Sequence, residues 1–562
     1  MDHIVSQYWP RHLPHRLIWP ETTIFHLVQL AAERYPRQPA VHFFGTELTY
    51  TAFLEQIEHF AGWLKRRAGV RKGDRVMLYM QNSPQWLIAY YGALRAEAIA
   101  VPVSPMSKSK ELAYFLADSG ARVMVCAQDL VEQVQGVHDA AAPDQIIVAT
   151  YSDYIQPGHD YQLPDWLTET PTRPPETVPW KDVMDAAESA GDFTGEPDDI
   201  CLLPYTSGST GRPKACIHTH RTFMHNIAGA ALWHWPSPGS AFLALPPMCH
   251  VGGLAHSVHL PAYAAGTVVP LPRWDARLAL QLMERAGVAH ASILPTAIID
   301  LLAQPDLERF DLSNLRRITA GGASMPATVW QGLREKLGLD FIEGYGLTET
   351  AATTHLNPIE RPKRQCLGIP FFNTECRVVD PVTLEPVGVN EPGEIVVRGP
   401  QLFKGYWNRP EDTRAAHVDI DGYAFFRTGD VGYVDDEGYY FMTDRAKRMI
   451  NAAGYNVWPA EVESMLYDHP GVREVCVVGA ADSYRGETVK ALVVRDDDSL
   501  TEEALIQWSR NRMAAYKYPR IIAFVSELPK SPVGKILWRE LQEEERTRSR
   551  DSARESTGPG SS

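Results

Sequence analysis

The chain has 562 residues, more than one compact core accommodates, so two or more domains are expected. Hydrophobic residues make up 44% and charged residues 22% of the sequence, as in globular proteins, which excludes a disordered or fibrous chain. The net charge of −15 is spread along the chain, whereas a nucleic-acid binder needs a concentrated basic face. We therefore expect no nucleic-acid partner.

The cysteines and the start of the chain indicate the compartment. The seven cysteines include no CxxC pair, so neither a disulfide framework nor a cysteine zinc site is indicated. The start Met1-Asp2-His3-Ile4 lacks the regions of a signal peptide, and no apolar run approaches the ~20 residues that span a bilayer. These features predict a soluble, cytoplasmic protein with reduced thiols. Peripheral membrane contact and a homodimer stay open.

Strand and helix patterns alternate over the first part of the chain. Arg75–Tyr79 and residues 99–101 are predicted strands on either side of a helix that Ser83 caps and Pro84 begins. Further strand candidates are residues 121–126, 145–149, 290–294, 315–320 and 340–343. The sequence therefore predicts a large α/β domain with parallel sheets.

The pattern changes twice toward the C-terminus. Beyond about residue 370, turn pairs separate short strands and predict an antiparallel β region. After Asp444, helices at residues 459–468 and 501–516 and strands at 474–479 and 488–495 predict a small α+β domain. We predict an N-terminal domain over residues 1–444 and a mobile C-terminal domain over 445–545. Residues 546–562, which are almost without apolar side chains, are predicted to be a disordered tail.

Residues 205–214, Tyr-Thr-Ser-Gly-Ser-Thr-Gly-Arg-Pro-Lys, follow a strand candidate at 200–204. Small residues let backbone N–H groups approach an anion, hydroxyls add donors, and Arg212 and Lys214 add positive charge. The alternative is a flexible surface turn. The P-loop motif GxxxxGK[ST] is absent, because Ala215 follows Lys214. The segment is predicted to hold phosphate by another loop geometry.

This loop resembles the signature of the adenylate-forming superfamily, which includes acyl-CoA synthetases, peptide-synthetase adenylation domains and luciferases. The family's other segments follow in its order: Pro-Pro-Met-Cys-His-Val-Gly-Gly at 246–253, Gly-Gly-Ala at 321–323, Tyr-Gly-Leu-Thr-Glu-Thr at 345–350, Arg-Thr-Gly-Asp at 427–430, Asp-Arg-Ala-Lys at 444–447 and Pro-Lys-Ser-Pro-Val-Gly-Lys at 529–535. The resemblance extends from about Thr23 to Leu541 and is strongest to fatty acyl-CoA synthetases.

The resemblance implies a two-step reaction that requires ATP, Mg²⁺ and coenzyme A. A carboxylate must approach the anionic α-phosphate of ATP, so cations must converge there. Lys535 is implied to bridge the carboxylate and the α-phosphate. Glu349, together with Thr206, is implied to hold Mg²⁺, which prefers oxygen ligands.

Other motif residues are implied to bind the nucleotide or the acid. Thr348 would contact the α-phosphate, Tyr345 would lie against adenine, and Asp430 would bind the ribose hydroxyls. His250 would lie beside the substrate carboxylate, with a buried core histidine as the alternative. The implied nucleotide-binding set is Thr206, Ser207, Gly208, Ser209, Thr210, Gly211, Lys214, Gly322, Ala323, Tyr345, Gly346, Asp430 and Arg445.

The two half-reactions place different demands on one site, since adenylation excludes water and thioester formation admits the pantetheine thiol. The resemblance implies that the small C-terminal domain rotates about Lys447 between the two steps. Gly454 would then leave room for pantetheine, with an ordinary glycine turn as the alternative.

The identity of the acid is less constrained. Residues 248–253 contain no aspartate to hold an α-ammonium, which disfavours an amino acid. A medium- or long-chain fatty acid is predicted, and an aryl or cinnamic acid is the alternative. A carrier-protein-loading enzyme and a non-catalytic nucleotide-binding module are less favoured. Trp233 and Trp235 either border the acyl tunnel or pack in the core.

Histidines recur between His218 and His259, but without the HExxH pattern of a zinc enzyme. His218 and His220 are interpreted as loop residues near the phosphate site. Ala215 and Trp538 depart from the family pattern, which usually has glycine and often arginine there.

Overall fold

The computed structural model describes residues 8–137, 142–169, 174–206, 213–321, 325–445, 448, 450–452, 455–457, 459–482, 486–513, 517–530 and 536–556. Contacts divide the chain into two compact units. Unit 1 comprises Met1–Ser324, Val329–Glu375 and Val397–Phe426, and unit 2 comprises Met325–Thr328, Cys376–Val396 and Arg427–Ser562. Unit 2 therefore contains β-rich segments that the sequence analysis assigned to the N-terminal domain.

Unit 1 contains two large sheets. Its strands are β1 (Pro39–Phe43), β2 (Thr46–Thr49), β3 (Arg75–Tyr79), β4 (Ile99–Pro102), β5 (Val123–Ala127), β6 (Gln145–Ala149), β7 (Val178–Pro179), β8 (Ile200–Leu202), β9 (Tyr205–Thr206), β10 (Lys214–Ala215), β11 (His218–Thr219), β12 (Ala241–Ala244), β13 (Thr267–Pro270), β14 (Val288–Ser292), β15 (Arg317–Gly321), β16 (Phe341–Tyr345), β17 (His355–Leu356) and β18 (Ile369–Pro370). One sheet has the order β11-β8-β4-β3-β5-β6-β7 and the other β18-β17-β16-β15-β14-β12-β13-β1-β2.

Both sheets are parallel in their interior. The pairs from β8 through β4, β3 and β5 to β6 and β7 are parallel, as are those from β16 through β15, β14, β12 and β13 to β1. Antiparallel strands occur at the edges, where β2, β11, β17 and β18 pair. The predicted α/β class with parallel sheets is confirmed.

Helices connect these strands: α1 (Ile24–Arg34), α2 (Tyr50–Arg66), α3 (Pro84–Arg95), α4 (Ser109–Ser119), α5 (Val131–Gln135), α6 (Asp165–Thr168), α7 (Trp180–Asp185), α8 (His220–His234), α9 (Val251–Gly253), α10 (Leu260–Ala264), α11 (Ala276–Arg285), α12 (Pro295–Leu302), α13 (Ala327–Leu337) and α14 (Pro410–Ala415). Ser83 accepts a hydrogen bond from the Trp86 N–H at 3.2 Å and Pro84 begins α3, as the sequence predicts. A π-helix over Leu254–His259 joins α9 to α10.

Beyond residue 370 the strands are β19 (Glu375–Val379), β20 (Gly393–Arg398), β21 (His417–Ile420), β22 (Tyr423–Val434), β23 (Tyr440–Arg445), β24 (Ile450–Ala452), β25 (Tyr455–Val457), β26 (Val472–Asp482), β27 (Gly486–Arg495) and β28 (Ile521–Phe524). The predicted antiparallel region is present: β21 pairs with the start of β22, and β23 pairs with its end. Within unit 2, β26 and β27 form a long antiparallel pair that carries β24 and β28 beside β27.

Three helices complete unit 2: α15 (Pro459–Tyr467), α16 (Glu502–Arg510) and α17 (Trp538–Ser556). Apolar side chains of β26 and β27 form its core with residues of α15 and α16, among them Val462, Leu466 and Leu505. On the other sheet face, Val478 and Leu492 pack with Leu541 of α17. The small α+β domain predicted at the C-terminus is therefore present.

Two sequence predictions in this unit were wrong in extent. The helix predicted over 501–516 ends at Arg510, after Thr501 caps its start by accepting a hydrogen bond from the Ala504 N–H. The tail predicted to be disordered from residue 546 is instead helical to Ser556. Arg546 lies 4.0 Å from Glu543, one turn earlier, and such pairs stabilise a polar helix. Among the described residues, no helix has the length and apolar character needed to cross a bilayer.

Candidate active site

A short hairpin holds the two ends of the predicted phosphate loop. Thr206 in β9 lies directly opposite Lys214 in β10. Both residues are half-buried. The loop residues between them that were assigned to phosphate binding lie outside the described residues: Ser207, Gly208, Ser209, Thr210 and Gly211. The hairpin register thus brings together a hydroxyl and an ammonium at the two ends of the loop.

The Lys214 ammonium is already oriented by neighbouring groups. Its Nζ lies 2.7 Å from Oδ1 of Asp412 in α14 and 5.1 Å from the centre of the Tyr406 ring. A second cation, Arg409, lies one turn before Asp412 and contacts the Tyr114 hydroxyl at 3.0 Å. Two cations therefore flank the base of the hairpin.

The segment that contains Tyr406 is paired to the hairpin through its backbone. The N–H of Ile217 donates to the Gly405 carbonyl at 2.9 Å. The N–H of Trp407 donates to the Ala215 carbonyl at 2.9 Å. Ala215, where the family usually has glycine, is fully buried in this pairing. The pairing fixes Tyr406 beside the base of the loop.

A second motif loop begins where β16 ends at Tyr345. A Cβ atom on Gly346 would lie 1.3 Å from the Ala352 carbonyl oxygen, so only glycine fits between the two backbone segments. Thr348 and Glu349 then lie in a single 3₁₀ turn. Ala352 itself has φ +86°, a conformation that is strained for a residue with a side chain.

A buried asparagine holds this strained loop. Asn226 of α8 is 3% exposed, and its Nδ2 donates to the carbonyls of Thr350 at 3.0 Å, Ala351 at 2.8 Å and Thr353 at 3.1 Å. These carbonyls belong to the segment where the backbone enters the left-handed region. Because one amide bonds three carbonyls of this segment, Asn226 stabilises the conformation that presents Thr348 and Glu349.

His218 contacts the same loop. It was interpreted from the sequence as a loop residue, and that interpretation was wrong. It lies in β11, fully buried, and its Nε2 lies 2.7 Å from the Thr348 carbonyl while Nδ1 lies 3.1 Å from Thr222 Oγ1. Burial lowers its pKa to about 4, so the ring is neutral at pH 7. The neutral ring must donate from Nε2, since the carbonyl only accepts. His220, also interpreted as a loop residue, begins α8 and accepts a hydrogen bond from the Ile24 N–H.

Glu349 is 8% exposed and connects this loop to the phosphate hairpin. Its Oε1 accepts a hydrogen bond from the Tyr406 hydroxyl at 2.8 Å. Burial, and then the Glu349 charge, raise the pKa of Tyr406 above its ordinary value, so the phenol remains a donor. Since the Tyr406 ring also faces Lys214, the expected metal ligand and the expected phosphate-binding lysine lie on either side of one tyrosine.

His250 belongs to a third loop, between β12 and α9. The loop is compact, because a Cβ atom on Gly253 would lie 2.2 Å from the Pro247 carbonyl oxygen. Asn82, 4% exposed, holds it: Nδ2 donates to the Ala244 carbonyl at 2.7 Å and Oδ1 accepts from the Met248 N–H at 2.8 Å. His250 occupies the N-cap position of α9 and is half-buried, and its place beside the substrate carboxylate stays a prediction.

In unit 2, Asp430 and Arg445 are neighbours in an antiparallel strand pair. The backbone before Asp430 is fixed by Glu394, which accepts from the Gly429 N–H at 3.2 Å and pairs with Arg427. Thr428 Oγ1 accepts from the Asp430 N–H at 3.0 Å. The register places the two residues implied to bind ribose at one position of the sheet.

The remaining predictions in unit 2 fall on undescribed residues. Lys535, Lys447 and Gly454 lie outside the described residues, as do Gly322 and Ala323 of unit 1. The ends of the segment that contains Lys535 meet in an antiparallel bridge between Lys530 and Ile536. These five assignments remain predictions from the resemblance.

Comparison with known proteins identifies the family. Residues 28–407 match the model of the AMP-binding enzyme family, and residues 461–535 match the AMP-binding enzyme C-terminal domain. The chain belongs to the AMP-binding enzyme family. The resemblance to the adenylate-forming superfamily is therefore confirmed, and the chain is an AMP-forming acid:CoA ligase that uses ATP, Mg²⁺ and coenzyme A.

Curated relatives and solved structures match this AMP-binding enzyme over nearly its full length. A long-chain-fatty-acid–CoA ligase of Bacillus subtilis is 35% identical over 550 residues, covering 96% of this chain and 97% of the relative. A feruloyl-CoA synthase of an Amycolatopsis species is 35% identical over 517 residues, covering 91% and 96%. ATP-bound MatB from Rhodopseudomonas palustris superposes with a TM-score of 0.80 at 27% identity, covering 93% of this chain and 99% of that chain.

The donors of this AMP-binding enzyme fit a magnesium ion that is shared with nucleotide. The described residues contain no group of three or more His, Cys, Asp and Glu side chains arranged to enclose a metal. Glu349 supplies one hard oxygen, and Thr206 carries a hydroxyl at the base of the loop. Mg²⁺ typically takes one or two carboxylates and completes its shell with phosphate oxygens and water, so this donor set suits it.

The AMP-binding enzyme also contains site residues that sequence reasoning missed: Tyr406, Asp412, Asn226, Asn82 and Glu394. All five lie outside the recognised motifs. All but the aromatic Tyr406 are ordinary polar side chains. The two tryptophans of the predicted acyl tunnel differ in exposure. Trp233 is 1% exposed and packs against Phe371 in the core, whereas Trp235 is 52% exposed.

Proposed function

We propose that this AMP-binding enzyme activates a medium- or long-chain fatty acid. The carboxylate and ATP give an acyl-adenylate and pyrophosphate, and coenzyme A then displaces AMP to give the acyl-CoA. The observation that carries the choice of acid is the similarity, over nearly the whole chain, to a long-chain-fatty-acid–CoA ligase. The same similarity extends to the C-terminal region, where the second half-reaction is expected to require Lys447 and Gly454.

The arrangement in unit 1 supports the adenylation step. Lys214 and the Thr206 hydroxyl would bind the pyrophosphate part of ATP, and Glu349, aligned by Tyr406, would hold Mg²⁺. The metal, when bound, would neutralise charge on the phosphates. His218 and Asn226 orient the loop so that Thr348 can contact the α-phosphate. Fixing these donors before the reaction lowers the cost of stabilising charge as it develops.

Lys535 and Gly454 offer a way to separate the half-reactions. Lys535→Ala should abolish acyl-adenylate formation and spare thioester formation from a supplied acyl-adenylate, because the lysine acts only at the α-phosphate. Gly454→Leu should do the reverse, because its side chain would obstruct pantetheine. Pyrophosphate release and acyl-CoA formation are measured separately. Equal loss of both activities in both folded variants would contradict alternation between two conformations.

A panel of acids tests the substrate class directly. CoA-dependent AMP formation is measured with fatty acids of increasing length, with cinnamic acids and with amino acids. We expect fatty acids to have the highest kcat/KM. A higher value for cinnamic acids would assign the enzyme to the second candidate, an aryl-acid ligase, which the equal identity to a feruloyl-CoA synthase favours. No AMP formation with any acid would contradict both.

The proposal also covers the cellular compartment of the enzyme. A cytoplasmic location follows from the reduced thiols expected of its seven cysteines and from its soluble substrates ATP and coenzyme A. Co-sedimentation with vesicles tests for peripheral membrane contact, and light scattering tests for a homodimer.

A further inference from the structure

A row of side chains on one face of the nine-stranded sheet changes from apolar to cationic. Val268 in β13 is paired with Phe242 in β12, Phe242 with His290 in β14, and His290 with Arg317 in β15. Residues at paired positions of neighbouring parallel strands project from the same face. The Phe242 and His290 rings accordingly stack with their centres 4.7 Å apart. Arg317 lies at the polar end of the row.

Two further histidines approach this row from helices. His256 lies in the π-helix, and its ring lies edge-on to Phe242 with the centres 5.7 Å apart. His234 lies in the last turn of α8, where burial first, and then the neighbouring His290 and Arg317, lower the pKa of its ring. We name His234, His256, His290 and Arg317 the histidine–arginine cluster. Single-turn π-helices of this kind occur frequently at functional sites.

The cluster has a positive character that its own residues do not neutralise. Burial lowers the pKa of His234 and of His256 to about 3 and that of His290 to about 4, so all three rings are neutral at pH 7. Burial also lowers the pKa of Arg317, while Glu360 raises it and the adjacent Arg316 lowers it. Glu360 lies 3.3 Å from the His12 ring, with which it pairs. The guanidinium thus lies among neutral imidazoles that can act as donors.

Two nitrogens of the cluster lack hydrogen-bond partners. Nδ1 of His234 and Nε of Arg317 are shielded from solvent and make no hydrogen bond within the described part of the chain. Most buried polar atoms in folded proteins are paired, and an unpaired one indicates a missing ligand group or water molecule. Neutral imidazole nitrogens and a guanidinium N–H are the donors that a carboxylate accepts.

The cluster is connected to the expected acid site by a continuous helical segment. His250, at the N-cap position of α9, is expected beside the carboxylate that reacts. His256 follows six residues later in the π-helix that continues α9. An α-helix rises roughly 1.5 Å per residue and a π-helix rises less, so the two residues lie at most about 9 Å apart along the axis. An acid whose one end lies at His250 and whose chain follows this segment would reach the cluster with its other end.

We propose that the histidine–arginine cluster binds a carboxylate at the end of the substrate remote from the reacting one. This inference rests on the function proposed above and narrows its fatty acid to an ω-carboxy acid of intermediate length. The second carboxylate would accept hydrogen bonds from Arg317 and the imidazoles, and a terminal methyl group would leave those nitrogens unpaired. A guanidinium offers a fork that matches both carboxylate oxygens.

Matched acids test this with the unmodified enzyme. CoA-dependent AMP formation is measured for acids of equal carbon number that end in a methyl, a hydroxyl or a carboxylate group, over a range of lengths. We expect the ω-carboxy acid to have a kcat/KM higher by about tenfold or more at one intermediate length. A preference for the methyl or the hydroxyl end at every length overturns the proposal. Inactivity with all acids overturns the proposed function itself and this proposal with it.

A pair of neighbouring arginines supplies the matched variants. Arg317→Met should lower the ratio of kcat/KM for the ω-carboxy acid to that for the ω-methyl acid about tenfold, mainly through KM. Arg316→Met, at an exposed adjacent position, should leave the ratio unchanged. An equal loss for both acids in Arg317→Met would indicate a structural role and overturn the proposal. Should Arg317→Met fail to fold, His290→Leu is expected to lower the same ratio, and an unchanged ratio overturns the proposal.

Discussion

Two groups of buried or half-buried polar residues in unit 1 differ in how completely they are paired. Asn226 and His218 make hydrogen bonds that fix the Thr348–Thr353 loop, and the acceptors that they bind lie within the chain. The histidine–arginine cluster instead contains nitrogens without partners among the described residues. A paired buried group stabilises a conformation, whereas an unpaired one costs free energy that a ligand can recover. The first group supports the conformation of the site, and the second is the group that we propose binds the remote carboxylate.

The largest effect on activity is expected at Gly346, where the loop that contains Thr348 and Glu349 has no space for a side chain. In Gly346→Ala, the new Cβ atom would overlap the Ala352 carbonyl, so the loop must move and Glu349 and Thr348 with it. A displacement of about 1 Å at a reacting group costs roughly a hundredfold in rate, and kcat/KM for AMP formation should fall by that order. Gly332→Ala is the control, because its Cβ would meet only Leu302 at 3.5 Å in a helix. Equal activities of the two variants would contradict the packing requirement.

Removal of the Asn226 amide is expected to have the next largest effect, on stability. Asn226→Ala leaves the Thr350, Ala351 and Thr353 carbonyls without this donor, and a loss of about 3 kcal/mol in stability is expected. The measurement is the thermal unfolding midpoint, with AMP formation assayed at a temperature where the variant is folded. An unchanged midpoint would show that water replaces the amide, and the loop would then not depend on Asn226.

Tyr406→Phe removes the hydroxyl that aligns Glu349 and retains the ring beside Lys214. We expect kcat/KM to fall about tenfold, since a lost hydrogen bond to a charged group is worth roughly 1.5–3 kcal/mol. The Mg²⁺ concentration for half-maximal rate should rise, as the carboxylate becomes less well oriented. Tyr423→Phe, at an exposed position of β22, is the control. An unchanged Mg²⁺ dependence would show that Tyr406 does not influence the metal site.

His218 should contribute a pH dependence of stability. Its pKa is lowered from 6.5 to about 4 in the folded protein, so the unfolded chain binds more protons between these two values. The His218 contribution is therefore fully present above pH 6.5 and is lost as the pH falls toward 4, at up to about 1.4 kcal/mol per pH unit. The unfolding midpoint of the wild type should decrease more steeply over this range than that of His218→Gln. Parallel curves would contradict the lowered pKa.

The smallest change in stability is expected for a substitution in the histidine–arginine cluster. His234→Leu removes a buried nitrogen that has no partner among the described residues, so stability should change by less than about 0.5 kcal/mol or increase. The unfolding midpoint without substrate measures it. A decrease as large as that of Asn226→Ala would show that His234 is paired in solution, and the contrast between the two groups would disappear.

The sequence predicted what depends on neighbouring residues and missed what depends on distant ones. Ser83 and Pro84 begin α3 because capping is a local interaction. By contrast, His218 meets Thr348, which is 130 residues away, and no local pattern records that contact. The motif residues of the site were identified through the family resemblance, but the asparagines that hold their loops are 124 or more residues from their partners.

The extent of α17 and the make-up of unit 2 both depend on contacts that composition does not record. Composition predicted disorder after residue 545, but ion pairs one turn apart and the packing of Leu541 against β26 and β27 support a helix there. Unit 2 includes residues 376–396 because strands distant in sequence pack together, which a boundary drawn along the chain cannot express.

Asn82 joins the two sheets of unit 1 through a single amide. It follows β3 of the seven-stranded sheet and binds the carbonyl at the end of β12 and the N–H of Met248 beyond the nine-stranded one. Neither sheet edge can open here without breaking the same hydrogen bonds. The Met248 amide proton should therefore exchange with deuterated solvent only when its loop separates from Asn82, and its protection factor reports how often this junction between the sheets opens.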